Sequence, residues 1–266
     1  MKILSLYNIK GGVGKTTLTS LIAYNLSNQG KKILVIDADL QANTTQFLYK
    51  TNHMDGTIVN AIRDNATAKE LILKAPNPKY PNVDLIPADI ELCILGEYMA
   101  VQENKNKLIG IWFSKNIEIL KKYDYIFVDL SPSIDLVSRN FLYICSSVII
   151  PLSHGDLASI KGAELFNKLY SKDLEKLKIK GANIVTLLNY NKNYNRKVLS
   201  LFDKQLEVSK FSREHLLDTK ISESTTIQQV PIMKTGLSEL PSKYKNKKIE
   251  AQMNDLIEEL KIKEML

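Results

Sequence analysis

The residues best suited to chemistry in this sequence form one short glycine-rich loop. Glycine backbones can adopt conformations in which successive N–H groups point inward at phosphate oxygens, and the N-terminus of a following helix adds positive potential. In such a loop Lys15 reaches the β- and γ-phosphates of a nucleotide, and the hydroxyl of Thr16 binds Mg²⁺. The loop therefore predicts a site for a nucleotide and its magnesium ion. Its residues are Lys10, Gly11, Gly12, Val13, Gly14, Lys15, Thr16 and Thr17.

The flanking segments place this loop between a strand and a helix. Residues 1–7 form an apolar run typical of a strand, and Leu18, Leu21, Ile22 and Leu26 recur at helical spacing. A phosphate-binding loop requires this context. The alternative, a glycine turn whose lysines have no function, leaves both the context and the complete motif unexplained.

The loop departs from the usual phosphate-loop pattern at one informative position. The pattern G-x-x-x-x-G-K-[ST] needs a glycine five residues before Gly14, but Ile9 stands there and a second lysine, Lys10, follows it. The form K-G-G-x-G-K-T resembles the deviant Walker motif of the ParA/MinD family of ATPases. In that family the additional lysine reaches across a dimer interface to the phosphates of the partner's nucleotide. The resemblance thus implies catalytic roles for Lys10 and Lys15 and an ATP-dependent homodimer.

Two carboxylates follow the next predicted strand, which covers residues 33–36. Asp37 and Asp39 lie at its carboxyl end, where doubly wound sheets bind their ligands. This stretch resembles switch I of ParA proteins, with Leu40 in place of the usual proline. By that resemblance Asp39 is catalytic and orients or activates the attacking water, while Asp37 supports the Mg²⁺ site through a water molecule. Alternatively, both carboxylates only cap a helix that begins near Asn43.

A third carboxylate, Asp129, ends the apolar strand predicted at 123–128. An apolar strand that ends in aspartate is the Walker B arrangement, in which the carboxylate holds Mg²⁺ directly or through water. Of the two prolines that usually follow in the family, only Pro132 is present. A strand-end aspartate without a ligand is the alternative, but three separate elements then converge on one site by chance. The predicted metal-binding residues are Thr16, Asp37 and Asp129.

The strand predicted at 184–188 ends in Asn189. In the family the Asn or Asp that closes this strand often contacts the adenine, so the resemblance adds Asn189 to the nucleotide-binding residues. A turn-forming asparagine explains the same residue. The predicted nucleotide-binding set is Gly11, Gly12, Val13, Gly14, Lys15, Thr16, Thr17 and Asn189.

Strands and helices alternate along the chain. This order predicts an α/β fold with a doubly wound, mostly parallel sheet flanked by helices on both faces. With 266 residues and 30.1 kDa, one P-loop ATPase domain over 1–266 is sufficient, with a C-terminal helical segment at about 241–264. The resemblance, closest to the Soj-like ParA branch, covers nearly the full length but is weak after residue 190.

The composition excludes several classes of protein. A hydrophobic content of 44% and a charged content of 24% are typical of soluble globular proteins. Cys93 and Cys145 are too few and too far apart to suggest a metal site or a disulfide framework, which fits a reducing cytosol. No stretch approaches the roughly 20 apolar residues of a membrane span, and the first strand leaves no room for a signal peptide. We therefore expect a cytoplasmic protein.

The formal net charge of +7 is concentrated in the C-terminal third of the chain. Residues 176–213 include nine basic and two acidic residues. Such a patch favours a polyanion, and no DNA-reading motif precedes the first strand. We therefore expect nucleoid association through nonspecific binding to the phosphate backbone of double-stranded DNA; the alternative is a purely solvating face. The predicted DNA-binding residues are Lys192, Arg196, Lys197, Lys204, Lys210 and Arg213.

The last predicted helix bears on membrane binding. Its apolar stripe is accompanied by polar residues that are largely acidic. A MinD-like helix that binds anionic lipid needs a basic polar face, because lipid phosphates repel an acidic one. We therefore expect this helix to pack on its own domain and the protein not to bind membranes. The stripe consists of Ile249, Met253, Leu256, Ile257 and Leu260.

The resemblance implies a ParA-type partition ATPase with ATP and Mg²⁺ as cofactors. Such a protein is a dimerising switch that binds DNA nonspecifically and segregates or positions plasmid or chromosomal cargo. Its hydrolysis is slow alone and is stimulated by a ParB-like centromere-binding partner. One alternative is a MinD-like membrane-surface ATPase that positions division machinery. Another is a metabolic ligase resembling dethiobiotin synthetase, against which Lys10 and the lack of an obvious substrate-binding motif argue.

Overall fold

The computed structural model describes residues 1–48, 56–189 and 195–266, and within these ranges seven strands form one sheet. Every neighbouring pair of strands is parallel, and the strand order is 3-2-4-1-5-6-7. The strands are β1 (Lys2–Leu6), β2 (Ile33–Ala38), β3 (Val83–Ile86), β4 (Tyr125–Leu130), β5 (Ser147–Ser153), β6 (Asn183–Asn189) and β7 (Leu216–Ile221).

Helices connect consecutive strands. A 3₁₀ turn at Ser242–Tyr244 precedes the last helix. The helices are α1 (Lys15–Asn28), α2 (Asn43–Leu48), α3 (Ile58–Arg63), α4 (Ala68–Leu71), α5 (Leu92–Ala100), α6 (Leu108–Lys115), α7 (Ile117–Leu120), α8 (Leu136–Ile144), α9 (Leu157–Leu177), α10 (Arg196–Val208), α11 (Lys210–Glu214), α12 (Thr225–Met233) and α13 (Lys247–Ile262).

The sheet separates two hydrophobic cores, because successive side chains of a strand point to opposite faces. In β2, Ile33 and Val35 join the core beneath α1, α12 and α13. Leu34 and Ile36 join the core that packs against α3 to α10. All four side chains are fully buried, which requires helices on both sides of the sheet. The predicted α/β, doubly wound architecture is confirmed, and the sheet is parallel throughout.

Strand register brings the predicted carboxylates together. β1 lies at the centre, between β4 and β5, and the loop that follows it sits where the order of connections reverses. Asp129 pairs with Leu6 of β1 on one side and with Asp37 of β2 on the other. Since parallel strands end at the same edge, both carboxylates lie beside the beginning of the phosphate loop.

The C-terminal helix α13 packs against the sheet and α1. Its predicted apolar stripe is buried in the core beneath α1 and α12, together with Met265 and Leu266. The predicted helical segment at about 241–264 thus comprises the 3₁₀ turn and α13. None of the described helices combines the length and the apolar character needed to cross a bilayer.

Candidate functional site

Seven of the twelve predicted catalytic, nucleotide-binding and metal-binding residues line a cleft of about 570 Å³ at the carboxyl edge of the sheet. One wall is the phosphate loop and the start of α1, and the facing wall comes from the segment after β2. The cleft is lined by Gly11, Gly12, Gly14, Lys15, Thr16, Thr17, Asp39, Gln41, Asn43, Phe47, Pro132, Glu223 and Gln228.

Two glycines give the phosphate loop its shape. Gly12 and Gly14 have φ angles of 75° and 91°, in the left-handed region that side chains with a Cβ avoid. Gly14 is also the N-cap of α1, so the free N–H groups of the first helical turn begin at Lys15. The loop thus combines inward-facing backbone with a helix N-terminus, the arrangement that binds phosphate.

Lys15 is held inside the loop with only 7% of its surface exposed. Its Nζ donates to the carbonyl oxygens of Asn8 and Lys10, at 3.2 and 3.5 Å. Burial lowers the pKa of Lys15, and the nearby carboxylates of Asp129 and Asp39 oppose that shift. A buried ammonium group whose hydrogen bonds, among the described residues, go to neutral carbonyls is well placed to gain from a phosphate anion.

Asp129 and Thr16, two of the predicted Mg²⁺-binding residues, contact each other. Oδ2 of Asp129 accepts hydrogen bonds from the hydroxyls of Thr16 and Thr44, at 2.7 and 2.8 Å. Oδ1 of Asp129 is buried and has no hydrogen-bond partner among the described residues. Burial is the main cause that raises the pKa of this carboxyl, and the two threonine hydroxyls oppose it. An unpartnered carboxylate oxygen beside a threonine hydroxyl suits Mg²⁺, which prefers oxygen ligands.

Asp37 lies below the cleft rather than in its wall. The backbone N–H and the hydroxyl of Thr45 both donate to its Oδ2, at 2.7 and 2.8 Å, and the N–H of Asp39 donates to its Oδ1. Burial and then the charge of Asp129 raise the pKa of Asp37. Asp37 therefore holds the segment after β2 in place; support of the metal through water stays a prediction.

Asp39 borders the cleft and is fixed in one orientation. Its Oδ1 accepts hydrogen bonds from the N–H of Gln41 and from the hydroxyl of Ser131, at 3.0 and 2.9 Å. Its side chain lines the same cleft as Lys15 and Thr16. This placement suits the predicted water-orienting role, which stays a prediction.

Lys10 differs from Lys15 in exposure. Its side chain is 40% exposed, and its Nζ donates to the carbonyl oxygen of Gly11 at 3.1 Å. Asp156, the N-cap of α9, lies 3.7 Å from the same nitrogen. Two lysines five residues apart are thus directed differently, one inward and one toward the surface.

Asn189 lies beneath the phosphate loop. It is fully buried, and its Nδ2 donates to the carbonyl oxygen of Val13 at 2.7 Å. Its Oδ1 has no hydrogen-bond partner among the described side chains. In this structure Asn189 therefore supports the loop from below, and its contact with a base stays a prediction.

Several residues of the site carry no motif in the sequence. Thr44 and Thr45 bind Asp129 and Asp37, Ser131 binds Asp39, and Asn8 accepts a hydrogen bond from Lys15 through its carbonyl. The only signal for the two threonines is their position just after the paired carboxylates. Glu223 reaches the cleft from the loop after β7, and Gln228 reaches it from α12.

Five of the six predicted DNA-binding residues lie on α10 and α11. Arg196, Lys197 and Lys204 belong to α10, and Lys210 and Arg213 belong to α11. All five side chains are exposed, and Lys210 lies 3.9 Å from Glu214. Lys192, the sixth predicted residue, lies outside the described residues. The structure thus gathers five of the six cations on two consecutive helices.

The chain is similar to known proteins over most of its length. Residues 1–180 match the AAA domain family AAA_31. The sporulation initiation inhibitor protein Soj of Bacillus subtilis is 30% identical over 235 residues, which cover 86% of this chain and 87% of Soj. The chromosome partitioning protein ParA of Myxococcus xanthus is 31% identical over 152 residues, 57% of this chain and 52% of that protein, so the match spans about half its length.

A solved structure shares the fold over almost the whole chain. It is a plasmid partition protein from Borrelia burgdorferi bound to AMPPNP, with a TM-score of 0.75 and 26% identity. The superposition covers 98% of each chain.

Proposed function

This chain belongs to the ParA/MinD family of deviant Walker-motif ATPases and is a ParA-type partition or positioning ATPase; we propose that it works as an ATP-dependent dimerising switch. The observation that carries the proposal is the contrast between its two loop lysines. Lys15 is buried against the loop carbonyls, whereas Lys10 leaves the same loop toward the surface. A lysine in that position is available to a nucleotide bound by a second copy of the chain.

The predicted residues in and beside the cleft have different roles in binding and hydrolysing ATP. The loop N–H groups and Lys15 bind the β- and γ-phosphates, and Lys10 acts on the nucleotide of the partner. Thr16 and Asp129 would hold Mg²⁺, which would supply positive charge beside the phosphates. Asp39 orients the attacking water, and its bonds to Gln41 and Ser131 fix its direction.

We propose that the ATP-bound dimer binds double-stranded DNA without sequence preference and is associated with the nucleoid in the cytoplasm. The exposed cations of α10 and α11 support this, because such contacts neutralise phosphates and release counterions. The dimer segregates or positions plasmid or chromosomal cargo. Its hydrolysis is slow alone, and a ParB-like partner that binds the cargo stimulates it.

The gel-shift series that tests this proposal uses random duplex DNA with ATP, ADP or no nucleotide. We expect retardation with ATP and Mg²⁺ and little without them. The first alternative, a MinD-like membrane-surface ATPase, is tested by flotation with anionic vesicles. If ATP recruits the protein to vesicles and DNA is not retarded, the MinD-like function is favoured and DNA binding is refuted. The burial of the apolar stripe of α13 favours DNA over a lipid surface, because that stripe is not accessible.

The change Lys10→Ala tests the dimeric site directly. We expect the variant to bind ATP about as well as the unmodified protein, because Lys15 and the loop backbone remain. It should lose ATP-dependent dimerisation, measured by multi-angle light scattering, because the partner's phosphates lose a cation. Lys69→Ala, which removes an exposed lysine of α4, is the matched control. A Lys10→Ala protein that dimerises normally would refute the role in trans. That result would favour the ligase-like alternative, which has no use for this lysine.

A further inference from the structure

A buried asparagine joins the start of the phosphate loop to two other elements. Asn8 is fully buried, two residues before Lys10. Its Nδ2 donates to the carbonyl oxygens of Pro151 in β5 and Ser159 in α9, at 2.9 and 3.0 Å. Its Oδ1 accepts the backbone N–H of Lys10 at 2.9 Å. Both donor hydrogens and the acceptor of the amide are therefore used, and the backbone position of Lys10 is fixed to α9.

Helix α9 approaches this amide more closely than any residue but glycine allows. A Cβ placed on Gly162 would lie 2.4 Å from Oδ1 of Asn8 and 3.3 Å from the N atom of Lys10. Glycine inside a helix costs about 1 kcal/mol relative to alanine. Gly162 thus lowers the stability of α9 itself, but it allows the helix to contact the Asn8 amide.

This contact fixes the backbone of Lys10, while its side chain stays partly exposed. Its N–H is bound to Asn8, while its ammonium group has one carbonyl at 3.1 Å and one carboxylate at 3.7 Å and is 40% exposed. A side chain whose backbone is already ordered loses less entropy when it binds. A lysine that must enter a second subunit gains from such an arrangement.

We propose that Asn8, held in place by the close approach of Gly162, is the positioning residue that directs Lys10 toward the nucleotide of the partner subunit. The inference rests on the proposed ATP-dependent dimer. It adds that the orientation of Lys10 is set from α9, outside the glycine-rich motif.

The test compares two glycine-to-alanine changes in helices. Gly162→Ala forces the new methyl group against the Asn8 amide, whereas the same change at Gly96 in α5 meets no described atom within 4 Å. We expect Gly162→Ala to weaken ATP-dependent dimerisation about tenfold, which is ~1.4 kcal/mol and the size of one buried hydrogen bond. Binding of a fluorescent ATP analogue to the monomer should change less than about threefold, because Lys15 and the N–H groups of the loop remain in place. Gly96→Ala should match the unmodified protein in both measurements, and thermal unfolding verifies that each variant is folded.

A double-mutant cycle separates positioning from a merely structural role. Asn8→Ala should weaken dimerisation in the unmodified background and add nothing in the Lys10→Ala background, because the amide acts only through that lysine. The combination Asn8→Ala with Gly162→Ala should be no worse than Asn8→Ala alone, since the methyl group then has space.

Each outcome is decisive. Normal dimerisation of a folded Gly162→Ala protein, an equal loss of ATP binding and dimerisation, or additive effects of Asn8→Ala and Lys10→Ala would each overturn the positioning role. Failure of the unmodified protein to dimerise with ATP would overturn the proposed function and this inference together. If the unmodified protein dimerises and Lys10→Ala does not, the proposed function stands and the Gly162 comparison alone decides the inference.

Discussion

The phosphate-binding edge and the basic helices α10 and α11 both present charged residues, but they hold them in opposite ways. At the edge, Asp37 and Asp129 are fully buried, and each accepts at least two hydrogen bonds of 2.7 to 3.1 Å. On α10 and α11 the described cations are exposed, and one lies near a carboxylate on its own helix. We expect ligand binding at the edge to depend on the positions of single atoms, and binding by the basic helices to depend on their total charge.

This difference determines how each region responds to substitution. Buried polar groups act in a low dielectric, so the loss of one partner leaves another group unpaired at a cost of about 1 to 3 kcal/mol. Exposed cations are screened by salt over about 8 to 10 Å and contribute in small, similar steps. Single changes should therefore have large, specific effects at the edge and small, interchangeable effects on the basic helices.

The largest effect is expected from Lys15→Met. Loss of the charge-assisted hydrogen bonds to phosphate should weaken ATP binding by about 100-fold, measured by calorimetry with Mg²⁺ present. The unfolding temperature of the nucleotide-free protein should stay the same or rise. Methionine fills similar space and removes a buried cation whose hydrogen bonds, in the described part of the chain, go to neutral carbonyls. Lys69→Met, on an exposed face, is the control. A lower unfolding temperature would show that Lys15 stabilises the fold, which would weaken the contrast between the two regions.

A second test at the edge uses two buried threonines of α1 and α2. Thr44 donates to Asp129, whereas the hydroxyl of Thr19 is buried without a hydrogen-bond partner in the described part of the chain. Thr44→Val should lower Mg²⁺-dependent ATP hydrolysis about tenfold, since a lost hydrogen bond to a charged group is worth ~1.5 kcal/mol or more.

The matched change Thr19→Val removes a hydroxyl of the same kind from the same protein. It should leave hydrolysis unchanged and keep or raise the unfolding temperature. Hydrolysis rates and unfolding curves of the two variants, measured side by side, check both expectations. An equal loss of hydrolysis in the two proteins would mean that general packing, and not the Asp129 contact, limits activity.

Much of the edge could be predicted from the sequence because its signals are local. A strand, a glycine-rich loop and a helix are consecutive, and Asp37 and Asp129 each end an apolar run. Parallel strands end at one edge, so the sequence alone places both aspartates at the same edge of the sheet. That they are direct neighbours follows from the pairing of β2 with β4. The all-parallel sheet follows from the same alternation of strands and helices.

The remaining site residues could not be predicted because their roles arise from tertiary contact. Asn8 and Gly162 are 154 positions apart, and they come close together because α9 packs against the start of the phosphate loop. Strand β7 carries exposed or partly exposed polar residues on its outer face, so its apolar signal is weak. Thr44 is an ordinary helix residue until the register of β2 and β4 places Asp129 beside it.

The smallest and most interchangeable effect is expected from the paired change Arg196→Ala and Lys197→Ala at the start of α10. Binding of random duplex DNA with ATP should weaken by roughly three- to tenfold at low salt. The slope of log K against log salt should become shallower by about 2, one for each phosphate contact. Lys121→Ala with Lys122→Ala, at the amino edge of the sheet, removes the same charge from another exposed site. Fluorescence anisotropy titrations at several salt concentrations distinguish the two pairs.

A slope that changes equally for both pairs would mean that net charge alone attracts DNA and that α10 is a solvating face. If only the α10 pair changes the slope, further pairs drawn from Lys204, Lys210 and Arg213 should reproduce the effect in similar steps, because counterion release counts contacts rather than positions. If a single residue of α10 or α11 accounts for the whole loss, DNA binding depends on one specific contact, as expected at the phosphate-binding edge. The salt slope therefore decides whether the two regions follow different physical rules.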